Sequence, residues 1–432
     1  MSIFASSFVS YPRHRAILRS RFGQEDASTL SSKAVLSVHE SEKFLPPSRV
    51  HANFLNTVPN RNALSVDTKQ LFKKMETTGV RLDSRAKEFP KNAQVVNVLL
   101  GHSGDYYKFF PDFLKSLVAQ KHPHIHLSLV NIEGDNPASH TILKSHLKQY
   151  APSLSYELMS IPYSPHFTLA RQLAGKMLLH PQATHVMHAD MDDAFTDSEA
   201  MTTLLEAIHK NPKAVSAFGS FGLMSPQGQK VLENKLTVNG AYPKLKRFNE
   251  TNVWRYPSAI NQHTFTLIKR DALPPVDYVP KTFMDDWMLF LNTMIQAKKK
   301  NPEVPIEQLV IQVPKSIFLY RQSTHSVSRG KQDPVLEKQR FQLYMKEIDI
   351  YKKELATIIP PTSYDLMCHD RSRLSTRMNR VLHAKSWHGM RLVIDEAKQR
   401  KVPVFQVLML GFLKYARDKN ALVNYLYGCF GH

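Results

Sequence analysis

The sequence predicts an α/β protein built on a mainly parallel, right-handed wound sheet, and three observations lead to that class. Between residues 94 and 190, short β-rich runs alternate with amphipathic stretches at the spacing of βαβ units. The runs are compact and rich in Val, Leu, Ile and Met. The last of them, His185-Val-Met-His-Ala-Asp190-Met-Asp192-Asp193, stops at three carboxylates. An apolar run that ends in turn-forming acids is a buried strand reaching a surface loop, and open α/β sheets bind ligands outside the carboxyl ends of their strands.

Residues 1–90 are polar, Ser-rich and without periodicity, and read as a partly disordered N-terminal extension. The character changes at Gln94-Val-Val-Asn-Val-Leu-Leu100, a strand that ends at Gly101-His-Ser-Gly104. Phe109, Phe113, Leu114, Leu117 and Val118 then recur at helical spacing. A second strand over 126–130 leads through Glu133-Gly-Asp-Asn-Pro137 into a helix from Leu143 to Tyr150. A third strand, 156–161, precedes a helix over 168–179, and Val186-Met187 leads into the acidic turn. Beyond it, 214–223 and 263–269 read as strands and 286–300 as a helix. A helix over 333–353 has Asp333 as its cap and Pro334 at its first position, and Pro360-Pro361 then breaks the pattern. Three regions result: the extension, an α/β domain over 91–332, and a helical, basic C-terminal region over 333–432.

The 432 residues carry a formal net charge of +20 and a 42% apolar share, enough for a sizeable core and for attraction to anions. Basic residues are spread rather than striped and no nucleic-acid-binding signature occurs, so no specific nucleic acid is expected. Acceptors or lipid carriers with phosphates, or peripheral contact with an anionic membrane through residues 362–432, would account for the charge instead. Arg371, Arg373, Arg377 and Arg380, crowded there, read as a solvated face. Two cysteines, Cys368 and Cys429, exclude a disulfide scaffold and a cysteine zinc site, and fit a reducing compartment. The N-terminus lacks a basic segment before an apolar stretch, so no secretory signal is expected, and the location expected is cytoplasmic. Val402 to Leu413 is too short for a membrane span and reads as a core helix.

Asp190, Asp192 and Asp193 repel one another unless a cation lies among them. Hard oxygen ligands of this kind suit Mg²⁺ or Mn²⁺, which in turn hold a substrate diphosphate.

Read together, residues 95–330 resemble the family 2 glycosyltransferases of GT-A fold, which is Rossmann-like. Val95 to Pro123 is similar to that family's opening strand and helix, and Leu129-Val-Asn-Ile-Glu-Gly-Asp135 to its second strand and the turn that holds the nucleoside. Leu169-Ala-Arg171 resembles its Ala-Arg element, and Asp190-Met-Asp-Asp193 its metal motif. Phe283-Met-Asp285-Asp286-Trp-Met-Leu289 resembles the acidic pair that supplies the base, and Tyr320-Arg321-Gln-Ser-Thr-His325-Ser326-Val-Ser328 the closing segment. Three departures stand out. Gly101-His-Ser-Gly104 replaces Pro-Thr-x-Asn, Asn131 and Glu133 stand where paired aspartates are common, and Ser323 stands where the histidine is expected, with His325 two residues later.

The resemblance implies sugar transfer with inversion from a nucleotide-diphosphate donor, a UDP-sugar, to a hydroxyl of a glycan, lipid-linked or protein acceptor. Asp192 with Asp190 or Asp193 would hold Mn²⁺ or Mg²⁺, with His325 as a further metal or diphosphate contact. Asn131, Glu133, Arg171, Asp190 and Arg321 would bind the donor, the arginines through charge-assisted bonds to phosphate. Asp286, or its neighbour Asp285, would be the general base. The same pair opening an apolar helix is equally what an N-terminal cap looks like.

Two other classes compete. Asp190-Met-Asp192 has the Asp-x-Asp look of a haloacid-dehalogenase-like phosphatase, but that family places the motif on its first core strand and has Thr or Val where this chain has Ala194. A non-catalytic binder of anionic surfaces or nucleic acid is motivated by charge alone.

Overall fold

In a computed structural model, the described residues are 38–45, 80–132, 138–161, 178–232, 248–255, 264–273, 285–321 and 334–419. The chain divides after Ser37, and the unit from Val38 onward carries every described element.

Four parallel strands form the heart of the sheet: β3 (Val95–Ser103), β4 (Ile125–Ile132), β5 (Ser155–Ile161) and β6 (Ala183–Asp190). They lie in the order β5-β4-β3-β6. The chain therefore winds outward from β3 to β5 and returns to the other side of β3, so the strand order reverses between β3 and β6. Such a reversal opens a crevice at the carboxyl ends of the two strands. β1 (Val38–Leu45) and β2 (Val80–Lys87) extend the sheet beyond β5 as antiparallel strands. The stretch expected to be an extension thus supplies the two outermost strands on that side of the sheet.

On the far side of β6, β10 (Leu267–Lys269) inserts antiparallel between β6 and β8 (Ser216–Met224). β11 (Val310–Arg321) runs parallel to β8, with β7 (Ala194–Phe195) and β9 (Lys230–Leu232) as short antiparallel additions. The expected parallel core is present, and the antiparallel pairs lie beside it. The register of β8 against β11 shifts around Ser316, next to Pro314, which has no N–H for the ladder. Here the strands approach so closely that only Gly219 fits. A Cβ there would lie 2.4 Å from Ile317 Cγ1 and 2.5 Å from the Lys315 carbonyl. Gly219→Ala is expected to cost about 3 kcal/mol in chemical unfolding, because backbone cannot retreat as a side chain can; a cost near zero would refute the close approach.

α1 (Phe110–Val118) covers one face of the sheet with Phe110, Phe113, Leu114 and Leu117, all buried against Val96, Val98 and Leu100. Of the five apolar residues expected on this helix, Val118 is exposed and Phe109 belongs to the preceding 3₁₀ turn, Tyr106–Phe109. α2 (Ser139–Tyr150) and α3 (Ala200–His209) complete that layer with Leu143, Leu147, Leu204 and Ile208. The helix expected over 168–179 falls almost wholly outside the described residues.

A second apolar cluster joins Phe218 of β8 to α4 (Glu250–Arg255), α5 (Asp285–Lys300), α6 (Ile306–Leu309) and α7 (Pro334–Ala356). Trp254 is buried in it and donates to the Ile359 carbonyl at 3.0 Å. α8 (Ser363–His383), α9 (Trp387–Gln399) and α10 (Val404–Lys419) pack on α7 around Ile348, Leu374, Met378 and Val393. α8 starts at a capping box of Thr362 and Asp365, directly after the Pro360-Pro361 break. Its arginines are not all solvated as expected: Arg373 is buried and Arg371 donates to Gln406 at 3.0 Å. Among the described residues no helix is long and apolar enough to cross a membrane, and Cys368 is a buried free thiol.

The parallel block also buries titratable groups. His126 on β4 bonds Ser155 Oγ at 2.9 Å, stacks 4.8 Å from the His180 ring, and lies 4.0 Å from Glu157 Oε2. Burial pushes Glu157 up to about 7 and His126 down to about 3, so both are neutral at mildly acidic pH. A carboxyl whose folded pKa is raised stabilises the fold below its unfolded pKa, and that contribution is lost as pH rises through the folded value. Glu157→Gln should therefore gain on wild type between pH 5 and 8, by at most about 3 kcal/mol. Parallel stability profiles for the two proteins over that range would sink the assignment.

Candidate functional site

The crevice between β3 and β6 is where the acids lie. Gly101 of β3 pairs with Asp190 at the end of β6, and His102 pairs with Asn131 at the end of β4. The chain then turns tightly, with the Asp193 amide donating to the Asp190 carbonyl at 3.2 Å. β6 is supported from the β10 side by Phe265, whose amide donates to the His188 carbonyl at 2.6 Å. Phe265 has a φ of 60°, a left-handed conformation that a bulky residue adopts only when its surroundings enforce it. Its ring stacks on Phe318 at 4.7 Å, which supplies that enforcement.

Arg321, the last residue of β11, locks the turn from outside. Its amide donates to Asp193 Oδ1 at 2.9 Å and its Nε to the Asp192 carbonyl at 2.7 Å. Nη1 donates to the Pro226 carbonyl at 2.9 Å, and Nη2 to Asp112 Oδ2 at 2.7 Å. The guanidinium lies 4.7 Å from the centre of the Phe109 ring and the residue is 2% exposed. Gly228 permits this, because a Cβ there would sit 2.8 Å from Asp112 Oδ2 and 3.3 Å from Arg321 Nη1. Arg321, expected to bind phosphate, directs its amide and each of its three guanidinium nitrogens to the chain itself, and so positions the acidic turn.

Asp193 is buried, and its Oδ2 finds no hydrogen-bond partner among the described residues. Burial, then the charges of Asp192 and Asp190, pushes the Asp193 carboxyl well above the usual range. Burial and then Asp190 push Asp192 up to about 7. Tyr106, at the start of the 3₁₀ turn, is pushed up to about 12 by burial and then by Asp192, so the phenol stays protonated beside the acids.

A second network lies at the ends of β3 and β4. Asn131 is fully buried; its Nδ2 donates to Ser139 Oγ at 3.0 Å and to Ser160 Oγ at 2.9 Å. Its Oδ1 therefore faces His102 Nδ1, 2.7 Å away. Since Oδ1 only accepts, His102 carries its proton on Nδ1 and presents the Nε2 lone pair. That Nε2 is buried and has no hydrogen-bond partner among the described residues. Burial lowers the His102 pKa, so the ring stays neutral. Asn131, expected to contact a nucleoside, orients His102. Sequence reasoning passed over His102, although it stands inside the Gly101-His-Ser-Gly104 departure.

Glu133, Arg171 and His325 lie outside the described residues. Asp285 and Asp286 are the first two residues of α5, and their backbone fits either a helix cap or a base placed at a helix start. Among the described residues no three His, Cys, Asp or Glu side chains converge as a metal cluster. Mg²⁺ and Mn²⁺ sites that hold phosphates need only one or two carboxylates, the other ligands being phosphate and water. Asp190 and Asp192, with the unpartnered Asp193 Oδ2 behind them, fit that donor set.

Fold and site together define a doubly wound α/β protein with a carboxylate cluster at its topological switch point. No protein-family model matches the chain, and no curated protein matches it. Solved structures similar to it include TarS of S. aureus in complex with UDP, at 11% identity, 77% of this chain, 91% of that chain and a TM-score of 0.41. The mannosyltransferase PcManGT from Pyrobaculum calidifontis, in complex with GDP-Man and Mn²⁺, is similar at 11% identity over 89% of this chain and 99% of that chain, with a TM-score of 0.40. At this degree of similarity the reaction rests on the chain's own residues.

Proposed function

We propose that this chain is a glycosyltransferase that moves a sugar from a nucleoside-diphosphate donor to an acceptor hydroxyl with inversion. The observation that carries the reading is the acidic turn at the β3–β6 switch point. Asp190, Asp192 and Asp193 follow one another in that turn, and one buried oxygen, Asp193 Oδ2, lacks a hydrogen-bond partner among the described residues. A divalent ion bound by Asp192 and Asp190 would supply Lewis-acid stabilisation of the leaving diphosphate. Arg321 holds the turn in place through the Asp192 carbonyl and Asp193, and Arg171 is proposed to bond the phosphates. Asp286, or Asp285 beside it, takes the proton of the attacking hydroxyl from the face opposite the leaving group. Burial of the turn keeps water from competing with the acceptor.

His102 is assigned to the nucleobase. An acceptor lone pair fixed at Nε2 selects a base that offers an imino N–H, as uracil and guanine do and cytosine and adenine do not. Calorimetry should find UDP bound at least about tenfold tighter than CDP, with His102→Phe removing the preference, since a buried acceptor left unpaired is costly. Equal binding of the two nucleotides by wild type would refute the assignment.

The reaction itself is tested by incubating the full chain with nucleotide sugars and Mn²⁺ or Mg²⁺ and measuring nucleoside diphosphate release. Metal-dependent release supports the transferase. Phosphate release from phosphomonoesters through a covalent aspartyl-phosphate at Asp190 would replace it with the phosphatase reading.

A further inference from the structure

Helices α8, α9 and α10 enclose an open groove of about 370 Å³ lined by Met378, Leu382, Met390, Phe405, Met409 and Phe412. Two aromatic side chains of its lining stand in water, Phe405 at 74% and Phe412 at 59% exposed, and Trp387, one turn before the lining residue Met390 on α9, is 82% exposed. Single exposed apolar residues are ordinary, but a contiguous set marks an interaction surface. The face is left over because α10 already uses its other side. A Cβ on Gly411 would lie 2.5 Å from Met378 Cγ, and Lys414 Nζ donates to Ser375 Oγ at 2.9 Å and to Thr376 Oγ1 at 2.8 Å. Phe405, Met409 and Phe412 follow one another at helical spacing on the open side.

Charge decides what covers it. From α9 to the start of α10 the exposed charged side chains are Lys385, Arg391, Lys398 and Lys401 against Asp395 alone. Trp387, Arg391 and Lys398 share one stripe of α9, so the indole tip and the cations point the same way. A second copy of the chain meeting this face through a two-fold axis would set those cations against themselves. An aromatic and methionine surface ringed by lysine and arginine instead matches a phospholipid boundary, with acyl chains for the rings and phosphates for the cations.

We propose that the α9–α10 face docks this chain on an anionic phospholipid bilayer, Trp387, Phe405 and Phe412 entering the headgroup boundary and Lys385, Arg391, Lys398 and Lys401 pairing with lipid phosphates. The inference does not depend on the reaction proposed above. The test is sedimentation of the full chain with vesicles of phosphatidylcholine alone or mixed with phosphatidylglycerol. Expected is binding to the mixed vesicles only, weakened by salt, and reduced at least about tenfold in Trp387→Ser/Phe405→Ser/Phe412→Ser. The substituted side chains are exposed, and an unchanged circular dichroism melt verifies the fold of the variant. As a second measurement, lipids brominated in their acyl chains should quench wild-type emission, while Trp387→Phe keeps binding and loses that quenching. Absence of wild-type binding to the mixed vesicles, or equal binding by the triple variant, overturns the proposal. So does self-association in the ultracentrifuge that the triple variant abolishes, which would give the face to a second copy. Nucleoside diphosphate release measured without vesicles reports on the transferase separately.

Discussion

Asp192→Ala is expected to lower metal-dependent release of nucleoside diphosphate by at least about a thousandfold, the equivalent of about 4 kcal/mol of transition-state stabilisation. Leaving-group charge develops on the diphosphate, and the carboxylate that holds the neutralising ion cannot be replaced by water without losing its position. The fold should not suffer. Asp192 is crowded by Asp190 and Asp193, so in metal-free protein its ionised form is a source of repulsion rather than support. Asp192→Asn is therefore expected to raise the metal-free melting temperature while abolishing activity, as groups strained for function do. Wild-type rates in either variant, or release that ignores chelation of the metal, would end the transferase account built on this turn.

Arg321→Met is expected to cost about 3–5 kcal/mol in urea unfolding, because it leaves the Asp192 and Pro226 carbonyls and the Asp112 carboxylate without their donor and takes the guanidinium charge from beside buried Asp193. Arg321→Lys should recover little of this. One ammonium cannot reach the Asp192 carbonyl, the Pro226 carbonyl and Asp112 together, whereas the planar fork does. Asp112→Ala should cost only about 1 kcal/mol, since that side chain is 45% exposed and its partner keeps its other bonds. If Arg321→Lys proves as stable as wild type, Arg321 is not the lock of the turn, and its reading as a phosphate ligand returns.

The parallel core was legible because its strands are short runs rich in apolar residues, as β4 is with Ile125, Leu127, Leu129, Val130 and Ile132, and because the helices between them keep their period. The acidic turn was legible for a similar local reason: the strand and its terminating carboxylates are contiguous. β1 and β2 were not legible, since strands rich in charged residues, such as Val80–Lys87, carry no apolar run. Nor was the place of β10. Nothing in three residues announces that they will insert antiparallel between β6 and β8.

The partners of the candidate-site residues were not legible in the sequence. Asn131 and Arg321 stand where donor contacts were expected, yet every polar group of Arg321's guanidinium that is described bonds the chain. Asn131 is fully occupied by His102, Ser139 and Ser160. His102 gained its interest only from those partners. By itself, the sequence determined the class of fold, the succession of core strands along the chain and the chemistry gathered at the end of β6, because periodicity and terminating residues are local. Only the tertiary structure decided which polar groups are spent and which are left over. That accounting depends on partners remote in the chain, such as Asp112 and Arg321, 209 residues apart, and burial makes each pairing decisive by removing the water that would otherwise stand in.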